Sequence, residues 1–214
     1  MLSAPGFARE DFGGDFLWGV SASAYQTEGA HDADGKGLSI WDVFTQKGYA
    51  ANKQTGNQAC DFYHRYREDL ALMRSMHIRN FRFSISWSRI LPEGRGRVNE
   101  AGLDFYDRLI DQCLALDIEP WVTLYHWDLP WALEQAGGWA NREIVNWFSD
   151  YARVCVNRFG DRVKRWMVLN EPNTFTSAGY FLGVHAPRRR GLNNFLRAFH
   201  HAVLVQGCTP HLIR

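Results

Sequence analysis

Five polar or aromatic side chains stand where extended apolar runs of the sequence end, and their types suit recognition of a sugar. Gln26, His126 and Asn170 offer directional donors and acceptors for hydroxyl groups, and Trp127 offers a flat face for the C–H surface of a pyranose ring. Glu171 directly follows Asn170 and can act as a general acid or base whose pKa depends on its surroundings. The set predicts sugar binding combined with acid/base chemistry.

Two of these residues also have plain structural interpretations. Glu171 can be an ordinary carboxylate at a strand end, and His126 can be a core histidine with both ring nitrogens satisfied. The neighbouring Trp127 and the strand-end position favour sugar binding by His126. Glycoside hydrolysis normally needs two carboxylates, about 5–5.5 Å apart for retention of configuration and about 6.5–9.5 Å apart for inversion. Glu171 therefore needs a second carboxylate to complete that reaction.

The elements that position these residues follow from apolar periodicity. Four short runs, rich in β-branched and aromatic residues, predict strands covered by helices: Phe16–Ala22, Asn80–Trp87, Glu119–His126 and Lys164–Asn170. Apolar residues recurring at spacings of three and four predict helices at Asp61–His77, Glu100–Leu116, Asn141–Phe159 and from Leu192 to about Val205.

Strand and helix alternate four times, which indicates either an open doubly wound sheet or a (β/α) barrel. No G-x-G-x-x-G follows the first run and no Walker motif occurs, so the nucleotide-binding arrangement loses support. A complete (β/α)8 (TIM) barrel takes about 250 residues. We therefore expect an α/β fold in which residues 1–214 form one half-barrel domain of about four βα units, with its chemistry on the loops at the carboxyl ends of parallel strands.

Composition excludes several classes of partner. The net charge is +1, so neither nucleic acid nor an anionic membrane is indicated, and no apolar run approaches the roughly 18 residues of a membrane span. The first ten residues lack the apolar core of a secretory signal, which favours a cytoplasmic protein. None of the four cysteines stands in a C-x-x-C pair, and Cys113 and Cys155 fall on apolar helix stripes as free thiols. We expect no metal site and no cofactor.

Five motifs in a fixed order carry a family resemblance. They are Phe16-Leu17-Trp18-Gly19 with Tyr25-Gln26-Thr27-Glu28-Gly29-Ala30, then Phe81-Arg82-Phe83-Ser84-Ile85-Ser86-Trp87, Leu124-Tyr125-His126-Trp127-Asp128-Leu129-Pro130, Gly137-Gly138-Trp139 and Asn170-Glu171-Pro172. In this order the chain resembles the N-terminal half of glycoside hydrolase family 1, the β-glucosidase family, over residues 12 to about 206. The resemblance implies retaining hydrolysis of the O-glycosyl bond of a β-glycoside.

The resemblance also implies roles for individual residues. Glu171 matches the acid/base that protonates the leaving oxygen and later activates water, and Asn170 matches the partner of the sugar 2-hydroxyl. Arg82 matches the arginine that orients and stabilises the nucleophilic carboxylate, although without a nucleophile it can instead pair with Glu171. The binders of the non-reducing sugar are matched by Gln26, His126 and Trp127.

The chain departs from the family pattern at three places. Val168 stands where the family usually has Thr, and Arg188, after His185-Ala186-Pro187, stands where it usually has Gly. The family's nucleophile is a Glu in a Glu-Asn-Gly motif at the end of the seventh strand, and these 214 residues contain no such motif. Without a nucleophile the retaining mechanism has no covalent step, so we expect weak or no activity from this chain alone.

A half barrel leaves its first and fourth strands as open edges and its apolar lining exposed. We therefore expect a homodimer or higher homo-oligomer that closes the ring through these edge strands. In a two-fold dimer the partner's third strand approaches Glu171, which makes Asp128 a candidate surrogate nucleophile.

Two alternatives to a hydrolase fragment stay open. One is a non-catalytic oligomer that holds a sugar or a flat aromatic ligand on its rim of Trp, His and Asn side chains. The other is a purely structural half barrel without a ligand.

Overall fold

The computed structural model describes residue 6 and residues 8–213, and in it four parallel strands form one sheet in the order β1-β2-β3-β4. The strands are β1 Gly19–Ser21, β2 Asn80–Ser84, β3 Glu119–Tyr125 and β4 Arg165–Leu169. The α-helices are α1 Ala24–Thr27, α2 Ile40–Gln46, α3 Phe62–Ser75, α4 Trp87–Ile90, α5 Glu100–Ala115, α6 Trp131–Gln135, α7 Ile144–Phe159, α8 Pro172–Thr176, α9 Leu192–Cys208 and α10 Pro210–Ile213. The remaining helical turns are 3-10 turns at Arg9–Phe12, Ala33–Gly35, Ala51–Lys53 and Gly138–Ala140 and a π-helical segment at Ser177–Leu182.

This architecture confirms the predicted α/β class, with four strands in chain order and the helices α3, α5, α7 and α9 following them or lying between them. The remaining helices, which the apolar pattern did not predict, are short and lie in the connections after the strands. They matter here because they carry or support several residues of the site.

The first two strands end differently from their predicted bounds. The run that begins at Phe16 forms only the three-residue β1, because Phe16 and Trp18 pack with Phe12, the ring centroids being 4.8–5.1 Å apart. β2 stops at Ser84 because Trp87 opens a helical turn. The Trp87 ring is fully buried and its Nε1 donates to the carbonyl of Gly94 at 3.0 Å. Both runs are thus apolar for packing rather than for the ladder.

Two helix ends also differ from prediction. α7 begins at Ile144 rather than Asn141, whose side chain accepts a hydrogen bond from the backbone N–H of Glu143 at 3.0 Å in the preceding turn. α9 continues past Val205 to Cys208, and Pro210 then opens α10 instead of only ending the helix. Proline suits that place because the first helical residue needs no N–H donor.

The helix-facing side of the sheet forms a dry core. Phe81 and Phe83 of β2 and Val122 and Leu124 of β3 are buried there. Trp87 stacks on Tyr151 of α7 with ring centroids 4.8 Å apart, one of many aromatic contacts in this layer. Cys113 and Cys155 are buried free thiols in the same layer, as predicted.

The opposite face of the sheet, which faces the interior of the half barrel, is more polar than the expected apolar lining. Trp121 Nε1 donates to Asn80 Oδ1 at 3.2 Å, and Arg82 Nε donates to Thr123 Oγ1 at 2.9 Å. The Arg165 guanidinium lies 4.6 Å from the centroid of the Trp121 ring. Because these polar groups satisfy one another, exposing this face costs less than exposing a hydrophobic core.

Candidate active site

All six predicted site residues lie on or just after a strand near the carboxyl edge of the sheet. Arg82 is in β2, and Gln26 lies on α1, which follows β1. His126 and Trp127 follow β3, and Asn170 and Glu171 follow β4. Since the strands are parallel, their carboxyl ends meet at one edge, as the sequence predicted.

Asn170 is the centre of the hydrogen bonds at this edge. Its Oδ1 accepts from Arg82 Nη2 at 2.6 Å, and its Nδ2 lies 3.2 Å from His126 Nε2. Its backbone carbonyl accepts from Trp127 Nε1 at 2.9 Å, and its backbone N–H donates to Tyr125 O at 2.9 Å. The side chain of Asn170 is buried, so these contacts hold three predicted site residues in place around it.

Glu171 lies at the exposed end of this cluster. Its backbone is in the left-handed region at φ 45°, uncommon for a non-glycine residue, and Pro172 starts α8 directly after it. Among the described residues no side chain forms a hydrogen bond or an ion pair with its carboxylate. Arg82 therefore pairs with Asn170 rather than with Glu171. The carboxylate is open to an incoming group.

Burial and the Arg82 charge lower the pKa of His126 to about 4, against the opposing effect of the Glu171 carboxylate. His126 is therefore neutral at pH 7. Because the Asn170 amide nitrogen is a donor, Nε2 accepts from it and Nδ1 carries the ring hydrogen. A neutral His126 can thus donate one hydrogen bond to a ligand without placing a second positive charge beside Arg82. Burial likewise lowers the pKa of Arg82, and the Glu171 charge opposes the shift.

Gln26, His126 and Trp127 line a cavity of about 460 Å³ beside this cluster. Gln26 accepts a hydrogen bond at 2.5 Å from the hydroxyl of Ser23. The rest of the wall is largely aromatic, and its larger members are Tyr25, Trp41 and His185. Glu171, Asn170 and Arg82 do not belong to this wall. The structure therefore separates the predicted residues into a sugar-sized cavity and an acid/base group at its edge.

Trp41 and Tyr25 are cavity residues that the sequence interpretation missed. The His185 ring lies between Trp41 and Trp127, at centroid distances of 5.5 and 5.8 Å. The Tyr25 hydroxyl hydrogen-bonds the Trp41 carbonyl at 3.2 Å and Thr45 at 2.9 Å. Tyr25 precedes Gln26 in the first motif and could have been noticed, whereas Trp41 lies on α2, a helix that the pattern did not predict.

Asp128 does not have the position that a surrogate nucleophile needs. Its side chain is 2% exposed, and burial raises its pKa to about 7, with Ser86 and Lys36 opposing that shift. One carboxylate oxygen is buried without a hydrogen-bond partner among the described residues. Asp128 faces the interior beneath the rim, so the expectation that it serves a partner's sugar is wrong for this conformation.

Two further searches covered the part of the chain that the structure describes. No group of three or more His, Cys, Asp or Glu side chains there is arranged to hold a metal ion. No helix there is both long and apolar enough to cross a membrane.

Comparison with known proteins agrees with this geometry. The chain matches the sequence profile described as "Glycosyl hydrolase family 1" over residues 8–214. It is 53% identical to "Beta-glucosidase A" of Thermotoga maritima over 187 residues, which is 87% of this chain and 42% of that protein. It is 47% identical to "Beta-glucosidase A" of Acetivibrio thermocellus over 201 residues, which is 94% of this chain and 45% of that protein.

Among solved structures, the β-glucosidase from Thermotoga maritima in complex with glucoimidazole superposes with a TM-score of 0.91 at 50% identity. The match covers 92% of this chain and 45% of that one. The fold is therefore the first half of the TIM barrel of such enzymes, as predicted. The chain spans less than half the length of the curated relatives it matches.

Proposed function

Because the chain belongs to glycosyl hydrolase family 1, we propose that it contributes the acid/base half of a retaining β-glucosidase site. One observation carries the proposal: Glu171 is exposed and unpaired beside the ordered Asn170, His126 and Arg82 cluster. An acid catalyst needs this combination, because its proton must reach the substrate while its neighbours fix its position.

In this proposal Glu171 donates its proton to the glycosidic oxygen as the bond from that oxygen to the anomeric carbon breaks. Asn170 uses one amide hydrogen on His126 and keeps the other for the sugar 2-hydroxyl. Gln26 and His126 bind further hydroxyl groups, and the Trp127 ring packs on the pyranose. Arg82, held by Thr123 and Asn170, orients a nucleophilic carboxylate supplied from outside residues 1–214.

An aryl β-glucoside assay with azide or formate tests the proposal. The chain alone should turn over slowly or not at all. Azide should restore cleavage because its nitrogen attacks the anomeric carbon as the aryloxide leaves, and Glu171 protonates that oxygen. The product should be the α-glucosyl azide, with inverted configuration. A phenyl leaving group makes the proton necessary, whereas a 2,4-dinitrophenyl group leaves without it.

The control is Glu171→Gln, which should lose rescue of the phenyl glucoside by a factor of about 100–10,000 and keep most of it for the dinitrophenyl glucoside. Equal rescue of both substrates in the variant would contradict the acid role. Full turnover by the chain alone would contradict the missing nucleophile. Glu68→Gln, on the exposed surface of α3, provides a matched variant that should change neither rate.

We further propose that the chain associates with itself through the edges of β1 and β4, which have no neighbouring strand among the described residues. Large apolar side chains are exposed beside both edges. Phe16, Leu17 and Val20 lie in or before β1, and Leu192 and Leu196 lie on α9, which packs against β4. A second copy in which each β1 meets the other β4 buries both patches and closes an eight-stranded ring.

Light scattering at micromolar concentration tests self-association, and a dimer or larger species is expected. Val20→Lys should shift the population toward monomer because it places a charge in the edge strand. Leu72→Lys is the matched control, since Leu72 is exposed on α3 away from both edges. A dominant monomer in the unmodified chain would contradict this part of the proposal.

The aromatic cavity supports a second candidate function, the binding of a sugar or a flat aromatic ligand without turnover. The observation that favours it is the wall formed by Trp41, Trp127 and His185, which is built without Glu171. Calorimetry with glucose and with a phenyl glucoside distinguishes the two functions. Binding without azide-dependent cleavage supports a binding protein, and cleavage that depends on Glu171 contradicts it.

We propose a reducing compartment such as the cytoplasm as the place where the protein works. All four cysteines are free, and two of them are buried. Cell fractionation followed by thiol labelling tests this, and recovery of the protein from an oxidising compartment would contradict it.

A further inference from the structure

A second cavity, of about 440 Å³, lies between α9 and the turn that precedes α7. It shares no lining residue with the aromatic cavity. Three arginines and one histidine contribute to its wall, and no acidic side chain does. The wall consists of Gly137, Ala140, Asn141, Arg142, Arg189, Asn194, Arg197 and His201.

The arginine charges in this wall are only partly compensated. Arg189 forms an ion pair with the buried carboxylate of Glu134 and also donates to its backbone carbonyl at 3.0 Å. Arg142 and Arg197 have no carboxylate within ion-pair distance among the described residues. The whole chain carries a net charge of only +1, so the cavity is a local concentration of positive charge.

His201 adds a fixed polar group to the same wall. It is 6% exposed, and its Nδ1 donates to the Trp139 carbonyl at 2.8 Å. Its Nε2 makes no hydrogen bond with any described residue. Burial lowers the pKa of His201, and the nearby charges of Arg142 and Arg197 lower it further. The ring therefore stands in a positive environment with one nitrogen unused.

We propose that this cavity binds a phosphate group carried by a small monoester. The planar guanidinium group presents paired donors that match phosphate oxygens, and two such groups here have no internal partner. The cavity volume falls within the range of small-molecule sites, about 300–1,000 Å³, so it leaves room for more than the phosphate itself. Asn194 donates its amide to the Arg190 carbonyl and keeps its own oxygen for a hydroxyl of the ester.

Calorimetry at low ionic strength tests the proposal with four probes: glycerol 3-phosphate, inorganic phosphate, glycerol and acetate. The phosphomonoester should bind saturably to one site per chain, more tightly than inorganic phosphate. Glycerol should not bind, and acetate should bind at least tenfold more weakly than either phosphate. The imidazole signals of His201 in an NMR spectrum should shift during the same titration, which assigns the binding to this cavity.

The double variant Arg142→Gln with Arg197→Gln should weaken binding of the phosphomonoester at least tenfold. Arg153→Gln is the matched control, because Arg153 is exposed on α7 and is paired with Asp150 outside the cavity. Unchanged affinity in the double variant, an equal loss in the control, or no saturable binding would overturn the proposal. Binding of inorganic phosphate without the monoester would overturn the choice of ligand.

Discussion

Two glutamate and arginine pairs near the carboxyl edge of the sheet have the same chemistry and opposite surroundings. Glu28 and Arg89 are buried, and Arg89 donates from Nε and Nη2 to one carboxylate oxygen at 3.2 and 3.1 Å. Tyr106 donates to the other oxygen at 2.6 Å. Glu171 and Arg82 lie at the rim, where Arg82 bonds Asn170 and Glu171 bonds no described side chain.

The difference separates a structural pair from a reactive one. The Glu28 carboxylate is fully used by its neighbours, and the Arg89 guanidinium also lies 4.3 Å from the centroid of the Tyr63 ring. Such a pair joins α1 to α4 and has no atom to offer a substrate. The Glu171 carboxylate keeps its lone pairs and its access. A group that must exchange a proton needs this freedom, while its order comes from residues beside it.

The largest expected effect breaks the buried pair. Glu28→Gln leaves the Arg89 charge buried without compensation, so the free energy of unfolding should fall by about 3–5 kcal/mol. Urea denaturation followed by circular dichroism measures the loss. Glu68→Gln is the control, because its pair with Arg65 is exposed and should contribute at most about 1 kcal/mol. Equal losses in the two variants would remove the distinction between buried and exposed pairs.

Asp128 asks whether burial alone distinguishes the two regions. Its pKa rises from 3.8 to about 7 on folding, so the native state binds the extra proton between these values. Stability from this group is therefore full below about pH 4 and is lost as the pH rises to about 7. The parent chain should lose a few kcal/mol relative to Asp128→Asn across that range. A difference that does not change with pH would contradict the buried, uncompensated carboxylate, and the exposed variant Asp150→Asn supplies the baseline.

Asn170→Ala sharpens the comparison at the rim. It removes the partner of Arg82 Nη2 and of His126 Nε2, so unfolding free energy should fall by about 1–3 kcal/mol. Affinity of the aromatic cavity for glucose should fall as well, because His126 loses its orientation. Asn193→Ala, on the exposed face of α9, should change neither quantity. Unchanged stability in Asn170→Ala would mean that the rim does not depend on this hub.

The smallest expected effect on stability is that of Glu171→Gln. Since no described side chain bonds the carboxylate, unfolding free energy should change by no more than about 0.5 kcal/mol. The azide-dependent rate of phenyl glucoside cleavage should nevertheless fall steeply. The two measurements on one variant separate a reactive carboxylate from a structural one. A loss of several kcal/mol would place Glu171 in the same class as Glu28.

Much of the fold was predictable because its signals are local. Short β-branched runs and helical stripes predicted four strands and the main helices, and the carboxyl ends of parallel strands must share an edge. The strand ends were less predictable, since Trp87 is apolar in either a strand or a buried helical turn. Glu28 stood in a motif beside Gln26, yet its pairing with Arg89 joins residues 61 positions apart, which periodicity does not reveal.

The sequence by itself determined the family, the order of the strands and which residues reach the rim. Residue type and spacing along one element are enough for those conclusions. Only the tertiary structure decided that Arg82 bonds Asn170, that Glu171 stays unpaired in a left-handed backbone and that Asp128 is buried. The same holds for the cavity that collects Arg142 and Arg197 from two separate segments. These features depend on which distant segments meet and on how much water remains between them, and neither quantity is encoded in a local pattern.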